Sequence, residues 1–173
     1  MAYIRAKIYK RKHRPSDKWP EASTYYYVVQ SYRVEGKVRQ ATLAYLGEFP
    51  TVEQALAHDL GSLARIEAGL PEWETRRAEI DSAHPFVVRP RDGRGMSRHG
   101  RRLYSEHRML GTAIDAAPGE LARLRERIAA LLTAADALGI DASQVTANAG
   151  REYKTGYGRA VEAMLLTRTI GRT

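Results

Sequence analysis

The chain has 173 residues, with 28 Lys plus Arg against 20 Asp plus Glu, and no cysteine. That length suits one ordinary domain, or a small domain with a helical extension, and is short for a large catalytic fold. Without cysteine there are no disulfides, thiolate metal sites or cysteine nucleophiles, and a net charge of +8 points to a polyanion, whose condensed counterions are released when its phosphates are neutralised.

The opening residues, MAYIRAKIYKRK, alternate and form no apolar leader, and no apolar run reaches membrane-spanning length. A soluble, cytoplasmic, nucleoid-associated protein is expected. Charge falls in blocks: residues 1–50 carry 10 basic and 4 acidic groups and residues 89–110 carry 7 and 2, whereas residues 51–88 carry 3 and 7. Positive charge is therefore concentrated in the front of the chain, one central stretch and the tail.

In residues 3–11, Ile4, Ala6 and Ile8 alternate with Arg5, Lys7, Tyr9 and Arg11, the period of a half-apolar strand. After a loop holding Pro15 and Pro20, residues 24–34 and 37–46 read as two further strands joined by a two-residue turn at Glu35 and Gly36. That turn sets a register pairing Val34 with Lys37, Arg33 with Val38, Ser31 with Gln40, Val28 with Leu43 and Tyr26 with Tyr45. Neighbours across a ladder share a face. Tyr26, Val28, Leu43 and Tyr45 are thus expected on the buried face, and Tyr27, Ser31, Arg33, Gln40 and Thr42 on a polar one. A longer turn with a bulge would swap these faces.

From Thr51 a helix is expected, with Gln54 at capping-box spacing and a stripe of Val52, Leu56, Leu60, Leu63 and Ile66, ended by Gly69 and Pro71. A second short helix over 71–83 starts at Pro71. Residues 84–102, with Pro85, Pro90, Gly93, Gly95 and Gly100, read as a basic linker. Residues 118–139 space Leu121, Leu124, Ile128, Leu131, Ala135 and Leu138 as an a/d seam between Pro118 and Gly139, which can be half of a helical hairpin or a homodimer interface. In the tail, Val161, Met164, Leu165 and Ile170 suggest one more helix.

The expected architecture is α+β. A small N-terminal three-stranded antiparallel sheet backed by a helix (1–70) is followed by the short helix (71–83), the linker (84–102) and an α-helical C-terminal unit (103–173), which could self-associate.

The segment YYYVVQSYRVEGKVRQATLAYLGEFPTVEQA resembles the N-terminal region of bacterial insertion-sequence transposases of the DDE class. The resemblance is carried by Tyr25, Tyr26, Tyr27, Ser31, Arg33, Gly36, Lys37, Arg39, Gln40, Leu43, Tyr45, Leu46 and Gly47, and covers about residues 3–60. It implies DNA binding for the front unit. The catalytic domain of that class, an RNase H-like fold with three converging carboxylates, has no counterpart after residue 70, so transposition chemistry is not expected.

A polar sheet face can lie in the major groove, where Arg bonds guanine bidentately and Gln bonds adenine. Arg33 and Gln40 are the candidate base readers, with Ser31, Tyr27 and Thr42 adding contacts. Arg5, Lys7, Lys37, Arg39 and the run containing Lys10, Arg11 and Lys12 are candidates for phosphates. Arg89, Arg91, Arg94, Arg98, Arg101 and Arg102 read as an arm tracking the backbone or minor groove. A solvated polar face and a plain linker are the bland alternatives for these two features.

Tyr26 fits the core, while Tyr25 and Tyr27 fit either core packing or base stacking. His99, Glu106 and His107 match no ligand spacing, and Tyr104, Tyr153 and Tyr157 lack a recombinase setting, so no metal, cofactor or catalytic residue is expected. The reading is a non-catalytic double-stranded DNA-binding protein, a regulator or accessory factor of a mobile element. RNA binding, an unrecognised nuclease or recombinase, and an adaptor for an acidic protein are its rivals.

Overall fold

The computed structural model describes residues 1–10, 22–84 and 97–147. Three strands, β1 (Ala2–Lys10), β2 (Ala22–Val34) and β3 (Lys37–Gly47), form an antiparallel sheet in the order β1-β2-β3, and two long helices follow, α1 (Val52–Ala83) and α2 (Arg98–Leu138). A short 3₁₀ turn (Ala142–Gln144) comes after α2, with the Asp141 side chain accepting from the Ser143 amide at its start. The fold is the expected α+β.

Near the hairpin tip the expected register is observed, with Val34 opposite Lys37, Arg33 opposite Val38 and Ser31 opposite Gln40. Glu35 (φ 51°) and Gly36 (φ 76°) both adopt the left-handed conformation that a two-residue turn requires to match strand twist. Farther from the tip the expected pairs are overturned: Val28 faces Ala44, Tyr27 faces Tyr45 and Tyr26 faces Gly47, through two register shifts. Leu43 and Leu46 are the extra residues. The first bulge lets the consecutive residues Leu43 and Ala44 both reach the core, and it sends Tyr45 to the opposite face, 42 % exposed.

Beneath β2 and β3 the core joins Val28, Ala44 and Leu46 to Val52, Ala55 and Leu56 of α1 and to Leu131, Ala134 and Ala135 of α2. Helix α1 begins as expected, with the Gln54 amide donating to Thr51 Oγ1 at 3.3 Å. Ile128, Leu131, Ala135 and Leu138 of the proposed seam all pack within this core, so this part of the stripe is used inside the chain.

Neither proline stops a helix. Helix α1 runs through Pro71, merging the expected short helix 71–83 with the first, and α2 runs through Pro118. Buried residues continue across both positions, Ile66, Trp73 and Ile80 in α1 and Leu110, Ala117 and Leu124 in α2, and keep the chain helical. Gly69 serves as a seat for Trp73 instead of a stop, since a Cβ there would lie 2.7 Å from the indole ring. Helix α2 ends at Gly139 (φ 73°), where the Ile140 amide donates to the Ala135 carbonyl.

Two compact units emerge, and each is interleaved along the sequence. The first comprises Met1–Leu63 with Arg123–Ala149, and the second includes Ala64–Ala122. In the second unit, Trp73, Ile80, Leu103, Leu110 and Ala113 form the core, and Arg76 Nε contacts Glu106 at 2.8 Å.

Candidate nucleic-acid interface

Strand alternation and the observed register divide the sheet. On the face away from the core lie Tyr3, Arg5, Lys7 and Tyr9 of β1, Tyr25, Tyr27, Val29, Ser31 and Arg33 of β2, and Val38, Gln40, Thr42 and Tyr45 of β3. No position on this open face is acidic. Arg5, Lys7, Arg33, Gln40 and Thr42 are exposed, Tyr27 and Ser31 half-buried.

The face has two parts. Towards the hairpin turn, β1 ends beside Gln30, where Met1 and Ser31 exchange backbone hydrogen bonds of 3.0 and 3.3 Å. Beyond that point β2 and β3 continue as a two-stranded ribbon. Its residues are exposed on both faces, including the apolar Tyr32, Val34 and Val38, the last at 62 %. Arg33, Lys37 and Arg39 stand against a single carboxylate, Glu35. Lys37 and Arg39 face opposite Val34 and Tyr32, so they lie on the other side of the ribbon from Arg33 and Gln40.

The body of the sheet carries a row of tyrosines. Tyr9 and Tyr25 rings lie 5.5 Å apart, Tyr25 and Tyr45 6.1 Å, and Tyr27 and Tyr45 5.0 Å, crossing all three strands. The Lys7 ammonium sits 4.8 Å from the Tyr9 ring centre. At the other end the Arg127 guanidinium lies 5.8 Å from Tyr45. Between ribbon and tyrosines, Gln40 Nε2 donates to the Tyr3 hydroxyl at 2.7 Å and Arg5 Nη1 donates to Gln40 Oε1 at 3.4 Å, so Gln40 ties the outer strands together over β2.

The Tyr9 and Tyr27 hydroxyls are 3.3 Å apart. Their hydrogen bond pushes the Tyr27 phenol up to about 12 and holds Tyr9 below its ordinary value, with Lys7 adding to the latter effect. Burial, followed by the Tyr25 phenol, raises Tyr45.

Arg127 is itself held. Its Nε lies 2.8 Å from Oδ2 of Asp59, which is 1 % exposed; the contact is an ion pair whose angle falls outside hydrogen-bond geometry. His58 Nδ1 approaches the other Asp59 oxygen at 3.2 Å.

Of the remaining sequence candidates, Arg98, Arg101 and Arg102 correct the expected linker: they lie within the first five residues of α2, whose start is capped by Ser97 accepting from the Gly100 amide. Lys10 ends β1, and Arg11, Lys12, Arg89, Arg91 and Arg94, together with the tail helix, Tyr153 and Tyr157, lie outside the described residues. His107 pairs with Asp81 at 3.0 Å and Glu106 with Arg76, and among the described residues no group of three His, Asp or Glu comes together. Among those residues, too, no helix is long and apolar enough to cross a membrane.

Sequence reasoning put Tyr9 on the same side of β1 as Arg5 and Lys7 without naming it as a candidate, and it missed Tyr3 and Tyr45 as members of the face. Tyr3 shares parity with Arg5 and Lys7, which was available as a signal; Tyr45 depended on the bulge.

No curated protein and no solved structure matches the chain. A family model does: residues 10–82, spanning β2, β3 and nearly all of α1, match the IS1634 family transposase N-terminal domain, in keeping with the resemblance of the front of the sequence to insertion-sequence transposases.

Proposed function

We propose that this protein binds double-stranded DNA, by inserting the β2–β3 ribbon into the major groove, and acts by occupancy as a regulator or accessory factor of a mobile element. The observation that carries the reading is the ribbon beyond β1, exposed on both faces and basic on both. A two-stranded ribbon fits the major groove, so each face meets one groove wall or floor. Arg33 faces the base edges, and Lys37 and Arg39, on the reverse side, hold phosphates. Arg5 and Lys7 extend the positive surface along the sheet. Gln40, already engaged by Tyr3 and Arg5, orients the arginine. Such a protein works where DNA is, in the nucleoid.

Fluorescence anisotropy with labelled duplexes across a salt series tests this. With Arg5, Lys7, Arg33, Lys37 and Arg39 on phosphates or bases, log K should fall with log salt at a slope on the order of −4. Arg33→Ala should lower discrimination between sites by about 1–3 kcal/mol, and Lys37→Ala should weaken all sequences alike and reduce the slope by about one. Equal, sequence-independent losses from both would remove the base-reading role of Arg33, and a slope near zero would remove the interface.

A further inference from the structure

The tyrosine row is unexplained by duplex binding. A double helix offers groove walls only base edges, because base faces are hidden in the stack, whereas Tyr9, Tyr25, Tyr27 and Tyr45 present rings across three strands on a face whose described strand positions include no acidic residue. Tyr9 and Tyr45 are each 42 % exposed and Tyr25 and Tyr27 half-buried, and aromatic surface gathered in one patch marks a binding surface. The rings are tilted from one another by 41° to 70° and none lies parallel to its neighbour. Lys7 lies beside Tyr9 and places positive charge at one end of the row, while at the other end Arg127 lies beside Tyr45 with its charge matched by Asp59.

We propose that the tyrosine row is a stacking platform for the unpaired bases of a single DNA strand, with Lys7 at one end attracting that strand's phosphates. Strands lie about 4.8 Å apart, so a row crossing three of them spans two or three splayed nucleotides. The ribbon's Arg33 is six residues along β2 from Tyr27, about 20 Å at the rise of a strand. One face therefore takes a duplex at its tip and an unpaired stretch at its body. The inference rests on reading this sheet as a DNA-binding surface, and adds the state of the DNA that it selects.

The test compares the full chain binding a labelled single-stranded deoxyoligonucleotide with its binding to an abasic strand of equal length, and therefore equal charge. Loss of the bases should weaken binding by about 5- to 100-fold with an unchanged salt slope. Tyr27→Leu and Tyr45→Leu should reproduce that loss on the base-containing strand and leave the abasic strand unaffected, while Tyr27→Phe and Tyr45→Phe, which keep the ring, should bind within about twofold of the parent. The abasic comparison needs no substitution, so a misfolded variant does not decide the outcome. Equal affinity for both strands overturns the platform, and tighter binding of the matching ribonucleotide strand overturns its assignment to DNA. Duplex binding sensitive to Arg33→Ala would survive either result, and its loss alongside intact base-dependent strand binding would sink the groove-insertion reading alone.

Discussion

The proton between Tyr9 and Tyr27 is a residue-scale consequence of strand pairing. Their hydroxyls meet at 3.3 Å because both residues alternate onto the open face of neighbouring strands. Once Tyr9 ionises, Tyr27 donates to its phenolate, so Tyr9 loses its proton below the ordinary phenol value and Tyr27 keeps its own to about 12. Carbon-13 labelling at the tyrosine ζ position should resolve both titrations by NMR. In Tyr27→Phe the Tyr9 titration should move upwards, towards 10.0, since the main stabiliser of its charged form is gone. The sign for binding follows: raising pH through the Tyr9 range adds negative charge to the face proposed to bind a polyanion, so affinity should fall, and at lower pH in the parent than in Tyr27→Phe.

At the scale of elements, the hairpin turn and the helices show what a sequence makes legible and what it hides. Glu35-Gly36 between two alternating runs is a local signal, and the turn is where it was expected. Its strain can be relieved. Glu35 holds φ at 51°, a conformation costing an ordinary residue about 1–2 kcal/mol, and asparagine tolerates it better. Glu35→Asn should therefore raise stability by about 0.5–1 kcal/mol in denaturant unfolding, and by removing the ribbon's carboxylate it should also tighten duplex binding. Gly36→Ala should cost about 1–2 kcal/mol through backbone strain alone, because an added Cβ would meet nothing within 4 Å.

The bulges at Leu43 and Leu46 were hidden, since they arise from which residues the helices cover. The prolines misled for a related reason. An interior proline costs about 3 kcal/mol, while each large apolar side chain fully buried contributes about 1.5–3 kcal/mol. Leu103, Leu110, Ala117, Leu124 and Leu131 recur every seventh residue straight through Pro118, as do Val52, Asp59, Ile66, Trp73 and Ile80 through Pro71, and all are buried. The periodicity was present in the sequence and outweighs the breaker. Asp59 is the polar member of that series, and its burial is matched by Arg127. Arg127→Leu should cost up to about 3–5 kcal/mol by leaving the buried carboxylate with only His58 beside it, and adding Asp59→Leu should recover most of that loss. Chemical denaturation of the two variants decides it.

At the scale of the whole molecule, the interleaving of the two units means that the segment matching the transposase family does not contain its own core. Residues 10–82 supply Val28, Ala44, Leu46, Val52, Ala55 and Leu56, but Leu131, Ala134 and Ala135, which close the same cluster, come from the far end of α2. Arg127, the partner of buried Asp59, comes from there as well. A fragment of residues 1–84 would thus expose the inner face of its sheet and leave the Asp59 carboxylate without Arg127. The pair alone is worth about 3–5 kcal/mol to break, and uncovering a leucine adds about 1.5–3 kcal/mol, against a total stability for domains of about 5–15 kcal/mol. Circular dichroism of the fragment should show no cooperative thermal transition, and duplex affinity should drop with it. Supplying residues 97–147 as a separate chain should restore the transition at high concentration, because the missing side of the core is then present. A fragment that melts cooperatively and binds duplex DNA unaided would show that the sheet with α1 is sufficient, and that α2 is not part of what holds the ribbon in place.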